Sequence, residues 1–86
     1  MTPEVKIYST DTCGWCDRAK KLLTEMGYPY KEYTVGEDLT REDFLEIVNK
    51  LGAPRTVPQI FFDDDHVGGY THLVEKLVRG NVQLVS

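Results

Sequence analysis

Cys13 and Cys16 are the only cysteines in the chain, and Gly14 and Trp15 alone separate them. Two thiols at that spacing can approach to the roughly 2 Å of a disulfide if the second lies about one helical turn after the first. A strand-like run, Val5-Lys6-Ile7-Tyr8-Ser9, leads into the pair. A helix-like run follows it, with Ala19, Leu22, Leu23 and Met26 at i, i+3, i+4 and i+7. Paired thiols where a strand hands over to a helix read as a redox couple.

With Cys13 near the helix N-cap, its sulfur faces the unpaired backbone N–H groups of the first turn, which favour thiolate. A free thiol of pKa about 8.5 is only about 3% thiolate at pH 7, and lowering the pKa to roughly 5 gains about 30-fold in thiolate. Intrinsic nucleophilicity falls by a similar factor for a Brønsted slope of about 0.45, so the gain lies in making Cys13 a good leaving group. That suits an exchange catalyst. A structural disulfide is the weaker reading, because so short a loop constrains the unfolded chain little. A zinc site needs four ligands, and His66 and His72 lack the usual spacing.

The rest of the pattern supplies the scaffold. A helix is expected from about Cys13 to Met26, with Gly27 as its stop. Tyr30–Val35 alternates and suits a second strand, parallel to the first through a right-handed crossover. Thr40 is the expected N-cap of a second helix whose apolar face is Phe44, Leu45, Val48 and Leu51, ended by Gly52 and Pro54. Gln59–Phe62 is a third strand. Asp63-Asp64-Asp65 reads as a solvated hairpin turn rather than a calcium loop, and a return strand begins at His66-Val67. Thr71 is the expected cap of a last helix carrying Leu73, Val74, Leu77 and Val78, with Gly80 as its stop and Asn81–Ser86 as a tail. The order is β-α-β-α-β-β-α: an α/β fold with a mixed four-stranded sheet flanked by three helices.

Two further stretches carry chemistry. In Arg55-Thr56-Val57-Pro58-Gln59, Pro58 cannot donate to a ladder and belongs at a strand's start. A cis Val57–Pro58 bond would turn the Val57 N–H and C=O toward an extended peptide, as in β-augmentation; a trans proline entering a strand is the plain local alternative. In Gly68-Gly69-Tyr70-Thr71-His72, a glycine pair before a helix offers open N–H groups to a carboxylate; a hairpin exit plus a cap is the plain alternative.

The 86 residues are expected to form one domain, 1–86. Hydrophobic content of 41% and charged content of 28% fit a globular chain. A net charge of −4 argues against a nucleic-acid surface. No apolar run is long enough to span a membrane. Met1-Thr2-Pro3-Glu4 shows no basic segment followed by an apolar one, so no secretory leader is expected. Two cysteines in one motif fit a reducing compartment, and a cytoplasmic location is expected.

Taken together, Val5 to Arg79 resembles a glutaredoxin of the dithiol type. Cys13-Gly-Trp-Cys16 matches the active-site motif, Thr56-Val57-Pro58 the cis-proline segment and Gly68-Gly69-Tyr70-Thr71 the glutathione segment. The resemblance implies a thioredoxin-like fold and reduction of protein disulfides and glutathione mixed disulfides, with glutathione as reductant and no metal. Cys13 would be the nucleophile and Cys16 the resolving thiol. Glutathione would lie against Trp15, Arg55, Thr56, Val57, Pro58, Gly69, Tyr70, Thr71 and His72. Val57 would pair with its cysteinyl backbone, Thr71 and the residue-72 amide would hold its γ-glutamyl carboxylate, and Arg55 or Lys50 would attract its glycine carboxylate. Disulfide-containing client proteins, ribonucleotide reductase among them, and a monomeric state are implied as well. The sequence departs from many members at Gly14 and Trp15, where proline and tyrosine are common, at Thr10, where a basic residue is common, and at His72. The competing readings are an iron–sulfur cluster carrier and a thioredoxin-like protein reduced by a flavoprotein reductase.

Overall fold

A computed structural model describes residues 3–79. The chain runs β1 (Val5–Ser9), α1 (Gly14–Glu25), β2 (Tyr30–Thr34), α2 (Arg41–Leu51), β3 (Gln59–Phe62), β4 (Asp65–Gly68) and α3 (Tyr70–Val74), which continues as a π-helical turn over Glu75–Arg79. The sheet order is β2-β1-β3-β4. β1 and β2 are parallel, with Ile7 opposite Glu32. β3 runs antiparallel to both β1 and β4. The expected mixed sheet and element order are therefore present. The helix stop at Gly80 and the tail Asn81–Ser86 lie outside the described residues.

Strand alternation decides which side of the sheet each helix covers. Val5 and Ile7 of β1, with Ile60 and Phe62 of β3, point to one face. There they bury against Ala19 and Leu23 of α1, Leu73 of α3 and Leu77 beyond it. Leu23, Ile7, Ile60 and Leu73 are all fully buried, each contributing about 1.5–3 kcal/mol by leaving water. The opposite face carries Tyr8, whose ring meets Phe44 of α2 at 6.2 Å, Phe61 at 5.7 Å and Tyr33 at 5.3 Å.

The ends of α2 follow from local chemistry. Thr40 Oγ1 accepts the Asp43 N–H at 3.1 Å. Gly52 closes the helix in the left-handed region at φ 67°, where a side chain is costly. Its buried face is Phe44 and Val48, not the expected set: Leu51 is 42% exposed because it walls an open hollow shared with His66 and His72.

Three other expectations need correction. The hairpin turn is Asp63-Asp64, and β4 starts at Asp65. Asp63 takes the left-handed conformation at φ 55°, which its short polar side chain tolerates, and it is held there by exchanging hydrogen bonds with the Glu4 backbone at 2.8 and 2.9 Å. Gly69, not Thr71, is the N-cap of α3, without any side-chain cap bond, and Thr71 lies in the first turn. Val78 does not join Leu73 and Leu77 in the core but stays 37% exposed, because i→i+5 bonding from Glu75 onward widens the turn and rotates later residues off the expected face.

Candidate active site

β1 ends at Ser9, and a short turn carries the chain to Cys13, which takes the N-cap position of α1 with extended backbone, φ −110° and ψ 103°. A cysteine sulfur thus does what a Ser or Asp oxygen does at other helix starts. Cys13 Sγ accepts the Cys16 N–H at 3.1 Å, and the Cys13 carbonyl accepts the Asp17 N–H at 3.2 Å. The two cysteines are joined as a disulfide with Cα atoms 5.2 Å apart, inside the usual range. They differ in access: Cys13 is half-buried and Cys16 is 1% exposed. A Cβ built on Gly14 would meet nothing within 4 Å, so position 14 faces open space.

A groove of about 220 Å³ is lined by Trp15, Thr56, Val57, Pro58, Gly69, Tyr70 and Thr71. Trp15 and Tyr70 approach with ring centroids 5.5 Å apart, and the Arg18 guanidinium lies 4.8 Å from the Trp15 ring centre. The Val57–Pro58 peptide is cis, as the resemblance implied and the plain local reading did not; Pro58 is buried and Val57 half-buried.

Of the nine residues expected to meet glutathione, seven line this one groove. Two do not. Arg55 lines a separate hollow of about 280 Å³ with Thr10, Val35, Arg41, Phe44, Leu45 and Val57. His72 lines a larger hollow of about 440 Å³ whose wall includes His66, Gln59 and Thr71. Lys50, the other candidate for a carboxylate, is exposed and pairs with Glu46 one turn back at 3.3 Å.

Sequence reasoning missed the polar supports behind the site. Ser9 Oγ donates to Glu32 Oε2 at 2.5 Å, and Lys20 Nζ donates to the same oxygen at 2.9 Å. Lys20 also reaches Asp17 at 3.4 Å. This cluster ties β1 and β2 to the helix that carries the cysteines. The Ser9 hydroxyl and then the Lys20 ammonium hold the Glu32 carboxyl below its ordinary range, and the bond to Glu32 holds Lys20 above its own. The available signal was a polar residue on the inward alternation of each strand: Ser9 after Val5 and Ile7, and Glu32 between Tyr30 and Thr34. Arg18, three residues after Trp15 on α1, had the signal of helical spacing. His66 is also displaced: burial first, and the neighbouring His72 second, push its imidazole below the ordinary value.

The family model spans the motif-bearing region of this chain, and solved glutaredoxin structures share its fold. The glutaredoxin family model matches residues 5–67. Glutaredoxin 1 of Rickettsia felis is 43% identical over 63 residues, which make up 73% of this chain and 61% of that protein; the match thus spans less than two thirds of that relative's length. Glutaredoxin 3 of Escherichia coli K12 is 38% identical over 79 residues, 91% of this chain and 90% of its own length. Among solved structures, a buckwheat glutaredoxin–glutathione complex superposes with a TM-score of 0.77 at 28% identity, covering 96% of this chain and 74% of that one. With the family model covering most of its length and the paired cysteines at the start of α1, the chain belongs to the glutaredoxin family, whose members are thiol–disulfide oxidoreductases.

Proposed function

We propose that this chain reduces glutathione mixed disulfides and protein disulfides with electrons from glutathione. The observation that carries the reading is the asymmetry of the pair: Cys13 is accessible and accepts a helix N–H, Cys16 is buried, and a peptide-sized groove opens beside them. The bound tripeptide in the buckwheat neighbour supports glutathione as the occupant.

In the proposed reaction the Cys13 thiolate attacks a sulfur of the substrate disulfide. The S–S bond breaks, one sulfur leaves as thiolate, and a mixed disulfide forms on Cys13. When that adduct is Cys13–glutathione, a second glutathione thiolate attacks the glutathione sulfur, releasing oxidised glutathione and the Cys13 thiolate. When the adduct is a client protein, Cys16 attacks the Cys13 sulfur, the client leaves reduced, and the Cys13–Cys16 disulfide forms; two glutathione molecules then return the pair to dithiol. Low basicity at Cys13 serves the step in which Cys13 leaves from its glutathione adduct; when Cys16 attacks the Cys13 sulfur, the leaving group is the client's own thiolate.

Glutathione is assigned its cysteinyl backbone against Val57 and its γ-glutamyl carboxylate against Thr71 and the His72 amide. Its glycine carboxylate is assigned to Arg55, across Val57 from that groove. Accessible disulfides of proteins, ribonucleotide reductase among them, are the assigned clients, with the chain acting as a cytoplasmic monomer. The test supplies electrons either from glutathione with glutathione reductase or from thioredoxin reductase. Turnover with the first source alone is expected; turnover only with the second would overturn the reading.

A further inference from the structure

Gln59 is 3% exposed, so each polar atom of its amide needs a partner. Its Nε2 donates to the carbonyls of Pro54 at 3.1 Å and Thr56 at 2.8 Å. Both amide hydrogens are thereby used. The reverse orientation of the amide would set its oxygen against two carbonyl oxygens, so the chemistry admits one arrangement. The remaining atom, Oε1, lies 2.7 Å from His66 Nε2. A carbonyl oxygen accepts and does not donate, so His66 Nε2 must carry the proton and donate it.

A hydrogen-bonded chain therefore runs from β4 through β3 to the loop before β3: His66 to Gln59, and Gln59 to Pro54 and Thr56. It ends on the segment that lines the groove beside Cys13, whereas His66 itself lines only the neighbouring hollows. The His66 ring is braced independently, with its centroid 5.1 Å from that of Phe61. A bulge in β4 between its pairings to Ile60 and Phe61 sets His66 opposite Phe61.

We propose that His66 is a positioning residue for the Thr56–Val57 edge, acting through Gln59 to fix the backbone against which the substrate's glutathionyl group pairs. The inference rests on the assignment of that groove to glutathione. Without the His66 donor, Gln59 Oε1 is buried and unsatisfied, its amide is free to turn, and the two loop carbonyls lose their shared donor. The chemistry at Cys13 is untouched, so the loss appears in substrate capture.

Two variants and one measurement on the unmodified protein form the test. His66→Phe keeps a ring against Phe61 and removes the donor. His66→Gln places an amide N–H near the position of Nε2 and restores one. With a glutathionylated peptide as substrate, His66→Phe should raise KM about five- to ten-fold at nearly unchanged kcat, the scale of one lost buried hydrogen bond, and His66→Gln should return KM to within about two-fold. In the unmodified protein, nitrogen-15 spectra at neutral pH should show His66 as the Nε2–H tautomer. The opposite tautomer, an unchanged KM in His66→Phe, or equal damage in both variants would each overturn the proposal. Absence of any glutathione-dependent turnover in the unmodified protein would instead sink the assignment of the groove, and the tautomer measurement would still judge the His66–Gln59 bond.

Discussion

The backbone N–H of Cys16 donates to the sulfur of Cys13 at 3.1 Å, so one half of the redox pair is solvated by the backbone of the other. In the reduced protein the same donor is placed to meet a Cys13 thiolate, whereas Cys16 lies inside the helix, where backbone N–H groups are engaged in the i→i−4 ladder. Cys13 should therefore alkylate at lower pH than Cys16, and Cys16→Ser should keep substantial activity on glutathione mixed disulfides while losing most protein-disulfide reduction. Cys13→Ser should lose both. Peptide mapping after pH-stepped alkylation and parallel assays of the two variants check this; equal loss of both activities in Cys16→Ser would mean that the dithiol route is obligatory.

Thr71 lines the groove but caps nothing, so its hydroxyl is free for a ligand without cost to α3. Thr71→Val should leave thermal stability nearly unchanged and cost about 1–2 kcal/mol in glutathione-dependent kcat/KM. Unchanged kinetics on a glutathionylated peptide would place the γ-glutamyl end elsewhere.

Gly68 and Gly69 are adjacent but not equivalent. Gly68 sits at φ 119°, and a Cβ there would lie 2.7 Å from His72 Nδ1; a Cβ on Gly69 would have Pro58 O as its nearest neighbour at 3.6 Å. Gly68→Ala should destabilise the fold by about 1–3 kcal/mol through backbone strain, and Gly69→Ala by about 0.5 kcal/mol or less. Urea unfolding of the two variants decides the matter, and equal midpoints would refute the distinction.

Glu32 has its carboxyl pKa lowered on folding by Ser9 and Lys20. Its contribution to stability is therefore fully present above the unfolded carboxyl value of 4.5 and is lost as pH falls through the lower folded value. Lys20 is shifted upward, so its share is complete below 10.5 and fades as pH rises through its folded value. Because both side chains are partly solvated, the pair is worth about 1 kcal/mol. The stability difference between the unmodified protein and Glu32→Gln should shrink as pH drops below about 4.5; a difference that is flat with pH would remove the ion pair from the account.

What could be read from the sequence was what depends on neighbours along the chain. Thr40 and Gly52 bounded α2 because capping chemistry spans three or four residues. The cysteine pair declared its helix N-terminus for the same reason. Arg55 entered the expected set as a partner for a carboxylate and His72 through its backbone amide; which hollows their side chains line, Arg55 one and His72 another, had no signal along the chain. Arg55 and Val57 line one hollow and Thr56 another, while Thr56 and Val57 also share the groove between them. The bond between Gln59 and His66 had no signal, because a hairpin and a bulge bring those residues together.

Trp15 is the only tryptophan in the chain, it is 55% exposed, and it is held between Arg18 and Tyr70 directly beside the cysteine that the disulfide engages. The indole emission of the whole molecule is thus the emission of its groove. Opening the disulfide, seating a tripeptide or displacing the guanidinium each changes the surroundings of that single fluorophore. The molecule carries its own optical gauge of redox state and occupancy, and stopped-flow fluorescence can follow each half-reaction without a label.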